Sequence, residues 1–377
     1  MFSKNPKRAL WLTLSLSIVL AACGGDNNNT DTNNDADDSP ALASYDALVS
    51  FGDSLSDVGT YKVGAVAALG GGQYTINRDN GAQNWIQLLA ANLSLPVPCA
   101  AQTGLNGLAS QGFEVPVQNN AGCTAYAQGG ARITNPVGPG NALLGGDNAI
   151  LGQLTVPVAT QMQTHLDAAG GTYTGNEIVF VLAGGNDVFI NLGAVGEEMA
   201  TPEQAVTAMG VAGGELAGYV QTLLLDKGAT RVVVVNLPDV SKTPLAYGQP
   251  TANQLLIEQM SATFNQQLAA GLVGTEDKVV LVDAYAVSRQ QAADPAAYGI
   301  TNARDIACDL SQPGNALGSA LVCTTSNLVD TEEVVSRYQF ADAVHPTPYG
   351  SRLIAELVSN NLVSKGWLAP SQAVTRE

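Results

Sequence analysis

The chain predicts a three-layer α/β/α sandwich around a mainly parallel sheet, and three observations lead there. Four runs, "ALVSF" (47–51), "EIVFVLA" (177–183), "RVVVVNL" (231–237) and "KVVLVDA" (278–284), are continuously apolar and rich in Val, the pattern of strands buried on both faces. Segments with helical periodicity alternate with these runs, which calls for parallel strands joined by right-handed crossovers. The 377 residues are 46% hydrophobic with 40 Gly, enough apolar material for a substantial core.

In chain order, Lys4, Lys7 and Arg8 precede an apolar run over 9–22. It is short for a membrane span and of the right length for a secretory leader. The run ends in Leu20-Ala21-Ala22-Cys23, which resembles a bacterial lipobox, so residues 1–22 are expected to be a lipoprotein signal peptide and Cys23 the lipidated N-terminus. Gly24 after the cysteine resembles the sorting signal for the outer membrane. An ordinary signal peptide with a chance cysteine is the alternative. Residues 24–45 hold five Asp and no basic residue; with so little apolar surface they are expected to be a flexible polar linker, 23–45, ahead of one domain, 46–377. Losing the leader removes three positive charges and no negative one, taking the net charge from −17 to −20. That acidity argues against nucleic acid as a partner.

After the strand at 47–51, helical patterns cover Gln83–Leu93, Val156–Ala169, Pro202–Lys227, Asn253–Leu272 and Tyr349–Lys365. Two stretches break the rhythm. Residues 96–150 are rich in Gly, Asn, Gln and Pro, and 286–340 are irregular around a cysteine pair. Excursions of this length are usually functional, and both are expected to rim a ligand site outside the carboxyl ends of the strands. Besides Cys23 there are Cys99, Cys123, Cys308 and Cys323. In an exported chain these favour disulfides, and the shorter loops favour Cys99 with Cys123 and Cys308 with Cys323. A zinc site or free thiols are the alternatives, the former without a paired C-x-x-C to support it.

Ser54, in "VSFGDSLSDVGT", falls just past the carboxyl end of the first strand. A serine hydroxyl needs a base, usually a histidine held by a third group, and the chain has two histidines. His165 lies in a helical pattern and is expected at its surface or end. His345, in "FADAVHPTPYG", stands three residues after Asp342, a spacing that can set the carboxylate on Nδ1 and turn Nε2 outward. Oxyanion donors could come from "VLAGGNDVF", which brings Asn186 to the same sheet edge, and from Gly129-Gly130 in "AYAQGGARI", where a backbone N–H can approach a ligand unobstructed by Cβ. Asp57 and Asp187 are expected to hold turns.

In order, "FGDSLSDVG", "AQGGA", "GGND" and "DAVHP" resemble the four blocks of the GDSL esterase and lipase family, the SGNH hydrolases, over about 46–365. "NLPDVSKTP" resembles a segment of its lipase-like branch. The resemblance implies a flavodoxin-like SGNH hydrolase sandwich with a central, mainly parallel five-stranded sheet and long loop insertions. It implies Ser54 as nucleophile, His345 as general base, Asp342 as its orienting acid, and an oxyanion hole from the N–H groups of Ser54 and Gly130 and the side chain of Asn186. The family often carries Asn where Ala125 stands, which leaves Gly129 as the alternative donor. The implied reaction needs no metal or organic cofactor. An α/β-hydrolase is the rival fold, but its G-x-S-x-G elbow is not met by Gly52-Asp53-Ser54-Leu55-Ser56.

The expected activity is hydrolysis of carboxylic esters of lipids or short acyl chains, through an acyl-enzyme on Ser54. Polysaccharide O-acetyl esterase or acyltransferase chemistry is the enzymatic alternative. A surface-anchored binding lipoprotein on an inactive hydrolase fold is the non-enzymatic one, since fold alone does not assign function.

Overall fold

The computed structural model describes residues 44–78 and 84–376. The expected leader, Cys23 and most of the linker lie outside the described residues. The linker's expected last residue, Tyr45, is part of the folded body: its hydroxyl donates to the Trp367 carbonyl at 2.7 Å.

The strands are β1 (Ala47–Gly52), β2 (Gln102–Asn106), β3 (Glu114–Asn119), β4 (Glu177–Leu182), β5 (Val232–Val235), β6 (Val279–Val282), β7 (Asn302–Ile306) and β8 (Tyr338–Phe340). The main helices are α1 (Trp85–Asn92), α2 (Val158–Ala168), α3 (Gly185–Gly196), α4 (Pro202–Tyr219), α5 (Thr251–Gly271), α6 (Ala284–Ala293) and α7 (Pro348–Lys365). The four Val-rich runs are the central strands, in the order β1-β4-β5-β6 with every pair parallel. Alternate side chains of each strand enter opposite layers, as the pleat dictates. Phe51, Val181 and Val234 pack with Met162, Met209 and Phe264 of α2, α4 and α5. Leu48, Phe180 and Val233 pack on the other face with Trp85 of α1 and Val358 and Leu362 of α7.

Among the described residues the sheet has four strands rather than the expected five. Where a fifth would run beside β1 there is a single bridge, Ser50 to Ala125, made by Ser50 N–H to Thr124 O (3.1 Å) and Tyr126 N–H to Ser50 O (2.8 Å). This segment is cut short by the disulfide at Cys123 on one side and the turn at Gly129-Gly130 on the other. Counted with it, the order is 2-1-3-4-5, the flavodoxin-like arrangement, whose switch point lies between the carboxyl ends of β1 and β4.

The expected 202–227 helix ends at Tyr219 and continues as one π-helical turn and one 3-10 turn to Lys227. Neither excursion is merely irregular. The first contains the β2–β3 hairpin; the second contains β7, β8 and most of α6. They meet in a second core, where Leu105 and Phe113 pack with Leu321, Val322, Tyr61 and Tyr74. The cysteines pair as Cys99–Cys123 and Cys308–Cys323, the two short loops, consistent with an oxidising destination. Among the described residues no helix is long and apolar enough to cross a membrane.

His165 meets its expectation at the helix end and departs from the surface alternative. It lies in the last turn of α2 but is 6% exposed, enclosed by the rings of Phe51, Tyr126 and Tyr173.

Candidate active site

Ser54 stands in the turn that follows β1, half-buried, and the local backbone explains its presentation. Gly52 has φ +153°, and a Cβ there would come within 2.1 Å of the Leu182 carbonyl at the end of β4. Only glycine lets the two strand ends close this tightly. The side chain of Gln161, buried in α2, accepts from Gly52 N–H at 2.9 Å and donates to its carbonyl at 2.8 Å. On the other side Asn84 caps α1 and donates to the carbonyls of Leu55 and Asp57. The serine is thus held from both helical layers.

His345 reaches it from the far end of the chain. β8 ends at Phe340, the chain turns through 341–345, and α7 starts at Pro348 with Thr347 as its N-cap. Pro at the first helical position fits because its missing N–H has no partner there. His345 Nε2 lies 2.9 Å from Ser54 Oγ, and Nδ1 lies 2.9 and 2.8 Å from the two oxygens of Asp342. Asp342 is 5% exposed. Burial by itself would raise its pKa, but the imidazole of His345 and the N–H groups of Val344 and Ala320 outweigh it and bring the carboxyl down to about 2. A carboxylate so held stays charged and fixes the imidazole tautomer with Nε2 open toward Ser54. The ring of Tyr74 lies against that of His345, centroids 4.7 Å apart.

The remaining two segments also converge on this end of the sheet. Asn186 sits in the first turn of α3, shortly after the end of β4. Its side-chain amide donates to Ala131 O at 2.8 Å, which accounts for one of its two N–H groups. The two glycines of "AQGGA" differ. Gly129 N–H is taken by Asp57 Oδ2 at 2.9 Å, and its carbonyl by the Tyr61 hydroxyl at 2.8 Å. No described residue accepts from the N–H of Gly130 or from that of Ser54. Gly130 has φ +79°, and a Cβ would meet Pro139 O at 2.2 Å.

Asp57 and Asp187 hold backbone. Asp57 accepts from Gly59, Thr60 and Gly129, and burial pushes it up to about 6. Asp187 accepts from Ile133 N–H and from Arg132 Nε at 2.8 Å. Asp53, beside the serine, is raised to about 7 by burial, against the opposing pull of the Leu55 N–H and of His345.

A cleft runs from Ser54 and His345 between α3, α6, α7 and the 237–243 segment, with about 940 Å³ of empty space including its open mouth. Its walls are largely apolar, including Phe189, Leu237, Val287, Phe340, Leu353 and Leu357. Asp239 holds the 237–243 segment through Arg289 (2.7 Å) and Ser241 N–H (3.0 Å). Gln161, Tyr74 and Asn84 escaped the sequence reading: a polar or aromatic residue in an amphipathic or loop segment carries no local sign of a partner so distant in the chain.

A family model described as GDSL-like Lipase/Acylhydrolase matches residues 48–358. The chain is 29% identical over 337 residues to "Esterase EstA" of Pseudomonas aeruginosa and, equally, of Pseudomonas putida, covering 87% of this chain and 48% of each relative. It therefore spans about half the length of these curated relatives. Over 198 residues it is 26% identical to a GDSL esterase/lipase of Arabidopsis thaliana, covering 50% of this chain and 52% of that one.

Proposed function

The chain belongs to the GDSL-like lipase/acylhydrolase family, and from that premise we propose that it is a serine esterase acting on carboxylic esters with an apolar acyl chain. The observation that carries this reading is the continuous contact from Ser54 Oγ to His345 Nε2 and from His345 Nδ1 to Asp342. Ser54 attacks the ester carbonyl as His345 takes its proton. The N–H groups of Ser54 and Gly130 and the free amide hydrogen of Asn186 receive the oxyanion. His345 returns the proton to the departing alcohol, then activates the water that releases the acid.

The apolar cleft beside Ser54 supports a lipid or short-chain acyl ester over an acetylated polysaccharide, because a pocket of this character gains from burying methylene groups and offers a sugar few polar partners. A fluorophosphonate probe should label Ser54, and p-nitrophenyl esters from acetate to palmitate should locate the preferred chain. Folded protein that takes no label and cleaves none of these esters would overturn the reading. The two disulfides support export, the lipobox-like Leu20–Cys23 supports a lipid anchor on Cys23, and Gly24 after it supports sorting to the outer membrane. Mass spectrometry of the mature N-terminus tests the anchor; an unacylated Cys23 in the native host refutes it.

A further inference from the structure

Asp342 receives three backbone N–H groups. Those of Val344 and His345 belong to its own turn, at 3.0 and 2.9 Å on Oδ1; the third, from Ala320, lies 2.8 Å from Oδ2 and comes from 22 residues away. Ala320 opens a single 3-10 turn, Ala320–Val322, so its N–H has no acceptor within the turn and is available to the carboxylate. The Ser319 side chain caps that turn by accepting from Leu321 N–H at 3.2 Å. The turn ends at Cys323. Its disulfide partner, Cys308, donates its N–H to the carbonyl of Ala341, the residue just before Asp342, at 3.0 Å. The bridge therefore joins two segments that both bear on Asp342, one through Ala341 and one through Ala320. Both cysteines are fully buried.

We propose that the Cys308–Cys323 disulfide is a positioning device for Asp342, holding the Ala320 N–H on Oδ2, a role that rests on the triad reading above. Both carboxylate oxygens lie within hydrogen-bond distance of His345 Nδ1. Without the Ala320 N–H the carboxylate is held through Oδ1 alone, so Oδ2 can turn away from the imidazole and weaken its hold on Nδ1. The Ala320–Val322 turn is buried and is also held by Asn77, whose side-chain amide donates to the carbonyls of Ala320 (3.2 Å) and Cys323 (3.0 Å); the bridge adds the one covalent tie between this turn and the segment that carries Ala341.

The test is a mutant cycle on ester hydrolysis by the full chain. Cys308→Ala/Cys323→Ala is made in the native background and in Asp342→Ala, with Cys99→Ala/Cys123→Ala as the matched loss of the other bridge. The expected result is a fall in kcat of about tenfold, the size of one hydrogen bond to a charged group, with KM unchanged. The same pair should cause no further loss in Asp342→Ala, and the control pair should lower thermal stability while leaving kcat intact. An equal loss of kcat in both backgrounds, or none in either, overturns the proposal. Should the double cysteine variant fail to fold, Ser319→Ala loosens the same turn from a partly exposed position and enters the same cycle, with a smaller loss expected only where Asp342 is present. If Asp342→Ala with both bridges intact keeps native kcat, the triad reading itself falls; that result is seen without touching the disulfide and so is distinct.

Discussion

Buried carboxylates at the mouth of the sheet are shifted in opposite directions because their partners differ. For Asp342 the folded pKa of about 2 lies below the ordinary 3.8, so its contribution to stability is complete above about 4 and is lost as pH falls through 2. Asp53 has the reverse sign. Burial raises it to about 7, so the folded state keeps a proton that the unfolded chain releases near 3.8. Stability therefore declines as pH rises between those two values. Asp53→Asn, neutral throughout, should flatten that decline; thermal unfolding of both proteins between pH 5 and 8 checks it, and parallel curves would refute it. Asn186→Ala tests the proposed oxyanion role of its side chain directly. It should lower kcat by about 100-fold with little change in KM, the behaviour of a donor used mainly in the transition state, and steady-state kinetics on one good ester decides it.

At the scale of elements, the site depends on helix ends tied to strand ends. Asn84 accepts from Ile86 N–H to cap α1, and its amide also donates to Leu55 O (3.0 Å) and Asp57 O (3.3 Å) in the turn that bears Ser54. The two roles are separable. Asn84→Ala should lose about 1 kcal/mol of stability from the cap and some kcat from the loosened turn. Asn84→Ser can cap but cannot span both carbonyls, so it should regain stability without regaining kcat. Urea unfolding beside kinetics tells them apart, and recovery of both together would show that Asn84 acts only as a cap.

At the scale of the molecule, the cleft exists because five segments from across the chain end on one side of the sheet. Val287 of α6 lines it, and Val287→Trp should fill part of it and shift the preferred ester toward shorter acyl chains; an unchanged chain-length profile would place the acyl group elsewhere. The central strands were legible because a parallel strand covered on both faces needs an apolar run, and the pleat then sorts Val49 and Phe51 from Leu48 into separate layers. The segments bearing Ser54, Asn186 and His345 were legible because each joins a short polar motif to the end of such a run or the start of a helix. The fifth strand was overcounted: whether "TAYAQ" pairs over one residue or five depends on where the flanking disulfide and glycine turn pin it. His165 stands at the helix end, as one half of its expectation has it, but it is buried rather than on the surface: helical periodicity gives a residue its face but not the three rings, Phe51, Tyr126 and Tyr173, that close over it. The sequence by itself determined the α/β layering and the strand ends on which its polar motifs sit, because periodicity and turn chemistry are written in windows of a few residues. Only the tertiary structure decided that Ala320 donates to Asp342, that Tyr74 lies on His345 and that Gln161 clamps Gly52. Those contacts join distant segments, and two of the three use backbone groups that every residue carries, so the path of the chain alone selects them.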